Sequence, residues 1–470
     1  MMDNITRFIK TSIVYFLGNI LSKLVSILLL PIYTSRLLPE QYGEYDLVIT
    51  LVNLFTPIAF FQIWDAMYRF AFDYKKNSDK YYIINNSIIV SAIGILIYVA
   101  ISYIGYLYFD YAYPGYVLVF GLVSGLNYIA SFACRLFLKN VLFVASGLVN
   151  TLISALSCII LILVFEWDVK ALYLSVILGS IIQIIIIDCK LGLIKNFRRD
   201  DYNWNLCKKM FSFSIPLCIA TISYWLLSGY TKLAITNNLG LEDNGYYAVA
   251  NRFASMITVF VSIFQYAWNE VSYLMSVDDN RKASYSLSIS LLFKTVLFGS
   301  SLVCIFVKLI FPYFIGPNFY GALDIIPITI YGVAFNCIAG FIGTLFMTEK
   351  RTQHILYSTI LASFVNIISC SIFTGLFGLY GATLSLSLAF LFLFLLRVFQ
   401  MRQFLKVKID VRFFLFLILF IVTSFVFHSV NNILLEILYI IVIIVMYFIS
   451  IKDFIKTLKN KYAGIINKKD

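Results

Sequence analysis

Lys195-Asn-Phe-Arg-Arg-Asp-Asp-Tyr-Asn-Trp-Asn-Leu-Cys-Lys-Lys209 is the most polar connection in a chain of 470 residues that is 61% hydrophobic and 13% charged. Soluble domains carry about 25% charged residues, so composition alone points to a membrane protein. A bilayer core takes about 20 apolar residues per helix. Reading outward from the polar stretch gives fourteen runs of that kind, at 11–36, 43–69, 81–109, 115–138, 141–165, 170–193, 212–237, 244–275, 284–311, 321–347, 353–375, 379–400, 411–430 and 433–452. Six runs precede the stretch, six follow it, and two are added at the end.

The basic residues orient these runs. With the N-terminus in the cytoplasm, 29 of the 36 Lys and Arg fall in cytoplasmic gaps or at the termini, and three (Arg36, Lys170, Lys308) fall in external gaps. Such asymmetry across short loops sets membrane topology, and one miscounted helix would scramble it. The expected fold is an all-α integral membrane protein with 14 transmembrane helices and both termini cytoplasmic. Residues 1–193 would form an N-terminal six-helix lobe, 194–211 a cytoplasmic linker and 212–400 a C-terminal six-helix lobe. Residues 401–452 would supply two additional helices, and 453–470 a basic tail lying on anionic headgroups. The net charge of +12 is mostly this cytoplasmic bias and implies no nucleic-acid partner. Eight cysteines are scattered singly and two histidines are isolated, so they read as packing residues rather than metal ligands, and no cofactor is expected.

Four cations remain inside the spans: Lys23, Lys232, Arg252 and Lys294. A charge buried in a bilayer is costly and normally functional. On span eight, Arg252, Ser255, Gln265, Tyr266, Asn269 and Glu270 share an arc of about 140° at helical spacing. Asn19, Ser22, Lys23 and Ser26 form a similar stripe on span one. Thr221, Trp225, Ser228 and Lys232 form a looser one on span seven. Two readings stand side by side. The stripes line a cationic cavity that draws in an anion such as phosphate, or they are helix contacts in which hydroxyls act as glue. A cation satisfied by helix C-terminal carbonyls is the matching alternative for Lys294. The span carboxylates are peripheral. Asp65 and Glu270, near cytoplasmic ends, are the candidates for ion coupling, and the i,i+4 spacing predicts that Asp65 pairs with Arg69.

A weak internal repeat supports the division into two sixes. Leu38-Pro-Glu-Gln-Tyr-Gly-Glu-Tyr45 opens span two and Leu241-Glu-Asp-Asn-Gly-Tyr-Tyr247 opens span eight. The same helices close on Phe61-Gln-Ile-Trp-Asp65 and Phe264-Gln-Tyr-Ala-Trp-Asn269. With Pro31-Ile-Tyr-Thr-Ser-Arg-Leu-Leu-Pro-Glu-Gln-Tyr-Gly-Glu-Tyr45 and Gly378-Leu-Tyr-Gly-Ala-Thr383, these motifs make the chain resemble a polysaccharide flippase of the O-antigen and capsule type. That group belongs to the superfamily that also holds multidrug exporters and the lipid II flippase. The resemblance implies a cargo of lipid-linked oligosaccharide on undecaprenyl diphosphate, moved to the outer leaflet of a bacterial cytoplasmic (inner) membrane by alternating access. It also implies membrane lipids, polysaccharide polymerase and chain-length proteins as partners. Similarity to the lipid II flippase implies basic cavity residues on the first, second and eighth helices. Lys23 and Arg252 match the first and eighth, whereas the second offers only Asn53, so lipid II itself is not the implied cargo. An exporter of cationic drugs would need deep acids, which the runs lack. A membrane glycan polymerase would need a sizeable external loop with catalytic residues, and the external gaps are only a few residues long. The chain is therefore not expected to be an enzyme.

Overall fold

The computed structural model describes residues 18–429, except 19, 75, 110, 276–280, 350 and 406–411, together with scattered positions between 438 and 448. All regular elements among these residues are helical. Helical backbone from 20 to 28 leads into α1 (Leu30–Arg36), followed by α2 (Pro39–Ala59), α3 (Ile63–Ala71), α4 (Asn77–Phe109), α5 (Pro114–Leu136), α6 (Asn140–Leu163) and α7 (Lys170–Leu191). After the linker come α8 (Trp204–Ser228), α9 (Tyr230–Asn238), α10 (Leu241–Met275), α11 (Arg281–Phe314), α12 (Ile326–Thr348), α13 (Thr352–Leu405) and α14 (Arg412–Ser429). Among the described residues, eight helices are long and apolar enough to cross a membrane, or nine when the bent pair α2–α3 is taken as one span.

The chain forms two compact units, Met1–Ala248 and Val249–Asp470. In the first, α2 starts where the sequence dictates: Pro39 occupies the first turn, where its missing N–H costs nothing, and Gln41 Oε1 accepts the Leu38 N–H at 3.0 Å. The span does not continue unbroken to its end. Phe61 (φ 54°) and Gln62 (φ 48°) lie in the left-handed region, and α3 leaves at 52° to α2. Pro57 weakens the end of α2 by removing one backbone donor, and the wholly buried Phe60 anchors the break in the core. The second copy of the motif, at 264–269, lies within the continuous 35-residue α10, so the repeat holds in sequence but not in backbone at that point.

Three further features of the first unit matter. Between α5, α6 and α7, Gln183 Oε1 accepts from Asn127 Nδ2 at 3.0 Å and from Asn150 Nδ2 at 2.7 Å, while Gln183 Nε2 donates to Ser131 at 3.3 Å. The linker is strapped to α4: Asn85 Nδ2 donates to Asp201 Oδ2 at 2.6 Å, Asn86 Nδ2 to Asp201 O at 2.9 Å, and Asn203 N–H to Asn86 Oδ1 at 2.8 Å. Between α2 and the loops, Glu44 accepts the Ala112 N–H at 2.6 Å, and Tyr113 donates to Asp168 at 2.5 Å. That bond to a carboxylate, with some burial, pushes the Tyr113 phenol up to about 12.

In the second unit, Phe293, Phe335 and Phe394 stack at 5.8 and 6.2 Å between α11, α12 and α13. Arg397, which the charge asymmetry assigns to a cytoplasmic gap, is 6% exposed. It donates to Ala339 O (2.7 Å), Ser358 Oγ (3.0 Å) and Thr359 Oγ1 (3.1 Å). The 54 residues of α13 would extend about 80 Å if straight, more than twice a bilayer core. They are not straight. Gly378 (φ 57°, ψ −136°) adopts a conformation closed to other residues, and a Cβ on Gly381 would lie 1.8 Å from Phe373 O. Two residues eight apart meet only if the chain reverses, so α13 is a pair of spans folded at the glycine motif.

Candidate functional site

Span seven is interrupted at Gly229, between α8 and α9, and Lys232 projects from the first turn of α9. Its Nζ lies 2.6 Å from Asp46 Oδ2 on α2 and donates to Thr50 Oγ1 at 2.9 Å. Thr50 in turn donates its own hydroxyl to Asp46 O at 2.7 Å, using its single proton inward and a lone pair outward. Side-chain exposures are 18% for Lys232 and 11% for Asp46, so little water screens the pair. Neutralising one partner of such a pair strands the other charge, at a cost of about 3–5 kcal/mol.

The pair is the centre of a longer set of contacts along α2. Cys218 Sγ lies 3.8 Å from Pro57 O, Thr221 Oγ1 donates to Gln62 Oε1 at 3.0 Å, and Trp225 Nε1 donates to Thr50 O at 3.0 Å. At the far end the two repeat motifs meet: Asn244 Nδ2 donates to Gly43 O at 2.7 Å. The backbones approach so closely there that a Cβ on Gly43 would stand 2.0 Å from Leu241 O, and one on Gly245 2.1 Å from Pro39 O. Only glycine at both positions allows that approach.

The other expected site residues fall as follows. Lys23, half-buried, belongs to the first unit; its neighbour Ser22 makes a 2.9 Å hydroxyl contact with Thr151 on α6, and Ser26 donates to Ser22 O at 3.1 Å. Arg252, Ser255 and Gln265 are half-buried on α10 in the second unit, with the Ser255 hydroxyl donating to Arg252 O at 2.6 Å. Lys294 is half-buried on α11 between the buried Phe293 and Thr295. Tyr266, Asn269 and Glu270 are helical in backbone, but their side chains, like all of Asn19, lie outside the described residues. One expectation is corrected: Asp65 does not pair with Arg69. Arg69 reaches forward to Asp73 at 3.0 Å on the exposed end of α3. Asp65 sits in the first turn of α3, where its backbone N–H donates to Gln62 O at 3.1 Å.

Sequence reasoning overlooked Asp46, although it stands inside the predicted span 43–69. The signal was there: it is an acid near the outer end of one span, matched in depth by Lys232 near the outer end of another. The buried Gln183–Asn127–Asn150 cluster was also missed. Each of these spans carries a lone amide that periodicity alone does not connect to the others.

Comparison with known proteins adds the family. Residues 8–268 match the family model described as polysaccharide biosynthesis protein. No curated protein matches by sequence. Among solved structures, the chain is similar to the lipid II flippase MurJ in an inward closed conformation, at 18% identity and TM-score 0.64, covering 96% of this chain and 99% of that one. It is also similar to a multidrug resistance MATE family transporter of the MOP superfamily in an inward-facing conformation, at 13% identity and TM-score 0.65, covering 82% and 95%. An outward-facing transporter of that family aligns at 13% identity and TM-score 0.55, covering 86% and 96%. At these identities the structural likeness establishes a shared fold.

Proposed function

Because this chain belongs to the polysaccharide biosynthesis protein family, we propose that it is a flippase moving undecaprenyl-diphosphate-linked oligosaccharide from the inner to the outer leaflet of a bacterial cytoplasmic membrane. The family match carries this reading, since it covers more than half of the chain. The fold shared with the lipid II flippase MurJ supports it, since the cargo of that protein is itself a lipid. The full architecture would be fourteen spans with both termini cytoplasmic, a six-helix lobe at 1–193 and another at 212–400 joined by the linker 194–211. The pair of helices at 401–452 and the basic tail at 453–470 complete it. The cargo glycan would be an O-antigen, a capsule or another surface polysaccharide.

Within that reading, Lys23 and Arg252 each supply a cation to the diphosphate. Both sit on polar stripes in apolar helices, where a cation makes charge-assisted hydrogen bonds to a phosphate. Lys294 is a reserve cation for the same path. Lys232 is paired with Asp46 in this conformation. Arg252 presents a planar fork that grips two phosphate oxygens, and Lys23 acts as a point charge. In a strain lacking the chain, surface glycan should disappear and lipid-linked oligosaccharide should accumulate inside. Plasmid-borne Arg252→Ala and Arg252→Lys should fail to restore display at normal protein level, and Lys23→Arg should be milder than Lys23→Ala. Each lost charge-assisted contact weakens cargo binding by about tenfold to a hundredfold. Full display from Arg252→Ala would remove that residue from the cargo site. Intact surface glycan in the null strain would overturn the flippase reading itself.

A further inference from the structure

The interface between α2 and the α8–α9–α10 segment differs in kind from the apolar core around α3. The core around α3 is built from apolar side chains such as Phe60, Ile63, Trp64 and Met67, all 3% exposed or less. The α2 interface is instead a row of polar contacts: Thr221 to Gln62, Trp225 to Thr50, Lys232 to Asp46 and Asn244 to Gly43. Polar groups parted in this way can be taken up by water, whereas parted apolar faces cannot. A buried ion pair is especially suited to an interface that opens, because its Coulomb attraction roughly balances its desolvation and both charges rehydrate on separation. It fixes the closed geometry without trapping it.

We propose that the outer part of this row, from Trp225–Thr50 to Asn244–Gly43, is the closed outer gate of the transport path and that Asp46 and Lys232 are its latch, with Thr50 as the hydroxyl that holds the ammonium in register. This inference rests on the alternating-access reading above and on the charge asymmetry that puts the outer ends of spans two and seven outside. It assigns Asp46 and Lys232 a role in conformation, separate from cargo binding.

The test uses the full chain in intact cells with Tyr224→Cys as a reporter. Tyr224 is 54% exposed on α8, eight residues before Lys232 and so about 12 Å deeper along the helix axis. The probe is a membrane-impermeant maleimide added outside, with the parent chain giving the background of the native cysteines. Asp46→Asn and Lys232→Met should each raise labelling by about tenfold or more. The swap of Asp46→Lys with Lys232→Asp should return labelling toward the parent value. Thr50→Val keeps both charges and should give a smaller rise, which keeps the test open if a charge variant fails to accumulate. Unchanged labelling in all variants, or a swap as reactive as either single change, would overturn the latch. Labelling requires no cargo, so a rise in a strain whose glycan proves independent of this chain would uphold the latch while counting against the flippase reading. Lost glycan with unchanged labelling would do the reverse.

Discussion

Alanine at Gly43 would place a methyl group 2.0 Å from Leu241 O and 2.7 Å from Gly245 N. Contacts under 3.0 Å do not occur for real Cβ atoms, so the first turn of α10 would have to retreat by about 1 Å. Overpacking of this kind costs about 1–3 kcal/mol. The retreat also stretches the 2.7 Å bond from Asn244, whose side chain is wholly buried and would lose its acceptor, for about 1–3 kcal/mol more. The loss should be visible as a fall of several degrees in the melting temperature of the purified full-length protein, followed by tryptophan fluorescence in detergent. Gly245→Ala strikes Pro39 O at 2.1 Å and forces the same separation, so the double variant should lose clearly less than the two single losses combined. Gly340→Ala is the control. No atom lies within 4 Å of its Cβ position on α12, and it should be neutral or stabilising by about 0.5–1 kcal/mol. A Gly43→Ala protein that melts with the parent, or full additivity in the double variant, would refute the idea that the two motifs meet backbone to backbone.

Other outcomes are equally open to measurement. Arg397→Met leaves Ala339 O and two hydroxyls without their buried donor and should lower protein accumulation several-fold, with Arg397→Lys only partly restoring it, since an ammonium cannot reproduce the three-way fork; normal accumulation of Arg397→Met would contradict the structural role. Cysteines introduced at Asn77 and Arg199 should react only from the cytoplasm and those at Pro114, Asn238 and Asn431 only from outside; labelling of 77 and 114 from one side would break the fourteen-span topology. If protons drive transport, Glu270→Gln or Asp65→Asn should flatten its pH dependence, and unchanged profiles in both would take these carboxyls out of coupling.

The sequence made the all-helical, membrane-spanning character legible because bilayer thickness acts on long stretches, where single residues average out. The reversal at Gly378 falls in the gap that the sequence reading left between the runs 353–375 and 379–400, where apolar length alone demands a turn. The break after α2 was not legible. It depends on Phe60 finding a buried site and on two non-glycine residues accepting left-handed backbone, and both are tertiary outcomes. Lys232 shows the same limit in electrostatics. Its presence in a span marked it as functional, but whether it serves a ligand or a neighbour depends on which residue of another helix faces it. The i,i+4 rule likewise offered Asp65 to Arg69 and was overruled by a second acid four residues further on. Both acids satisfied the spacing, which alone could not decide between them.

The amide cluster of Gln183, Asn127 and Asn150 bears on how the protein responds to voltage. A membrane potential does work only on net charge, about 2.3 kcal/mol per elementary charge per 100 mV. Three helices joined through amides rather than ions carry none at their junction, so the field across an energised membrane neither pulls that junction apart nor tightens it. Its hydrogen bonds are also indifferent to any pH a bacterium survives. The α5–α6–α7 core should therefore hold the same internal geometry in a de-energised vesicle as in a respiring cell, and any electrical sensitivity of transport must enter through charged side chains elsewhere.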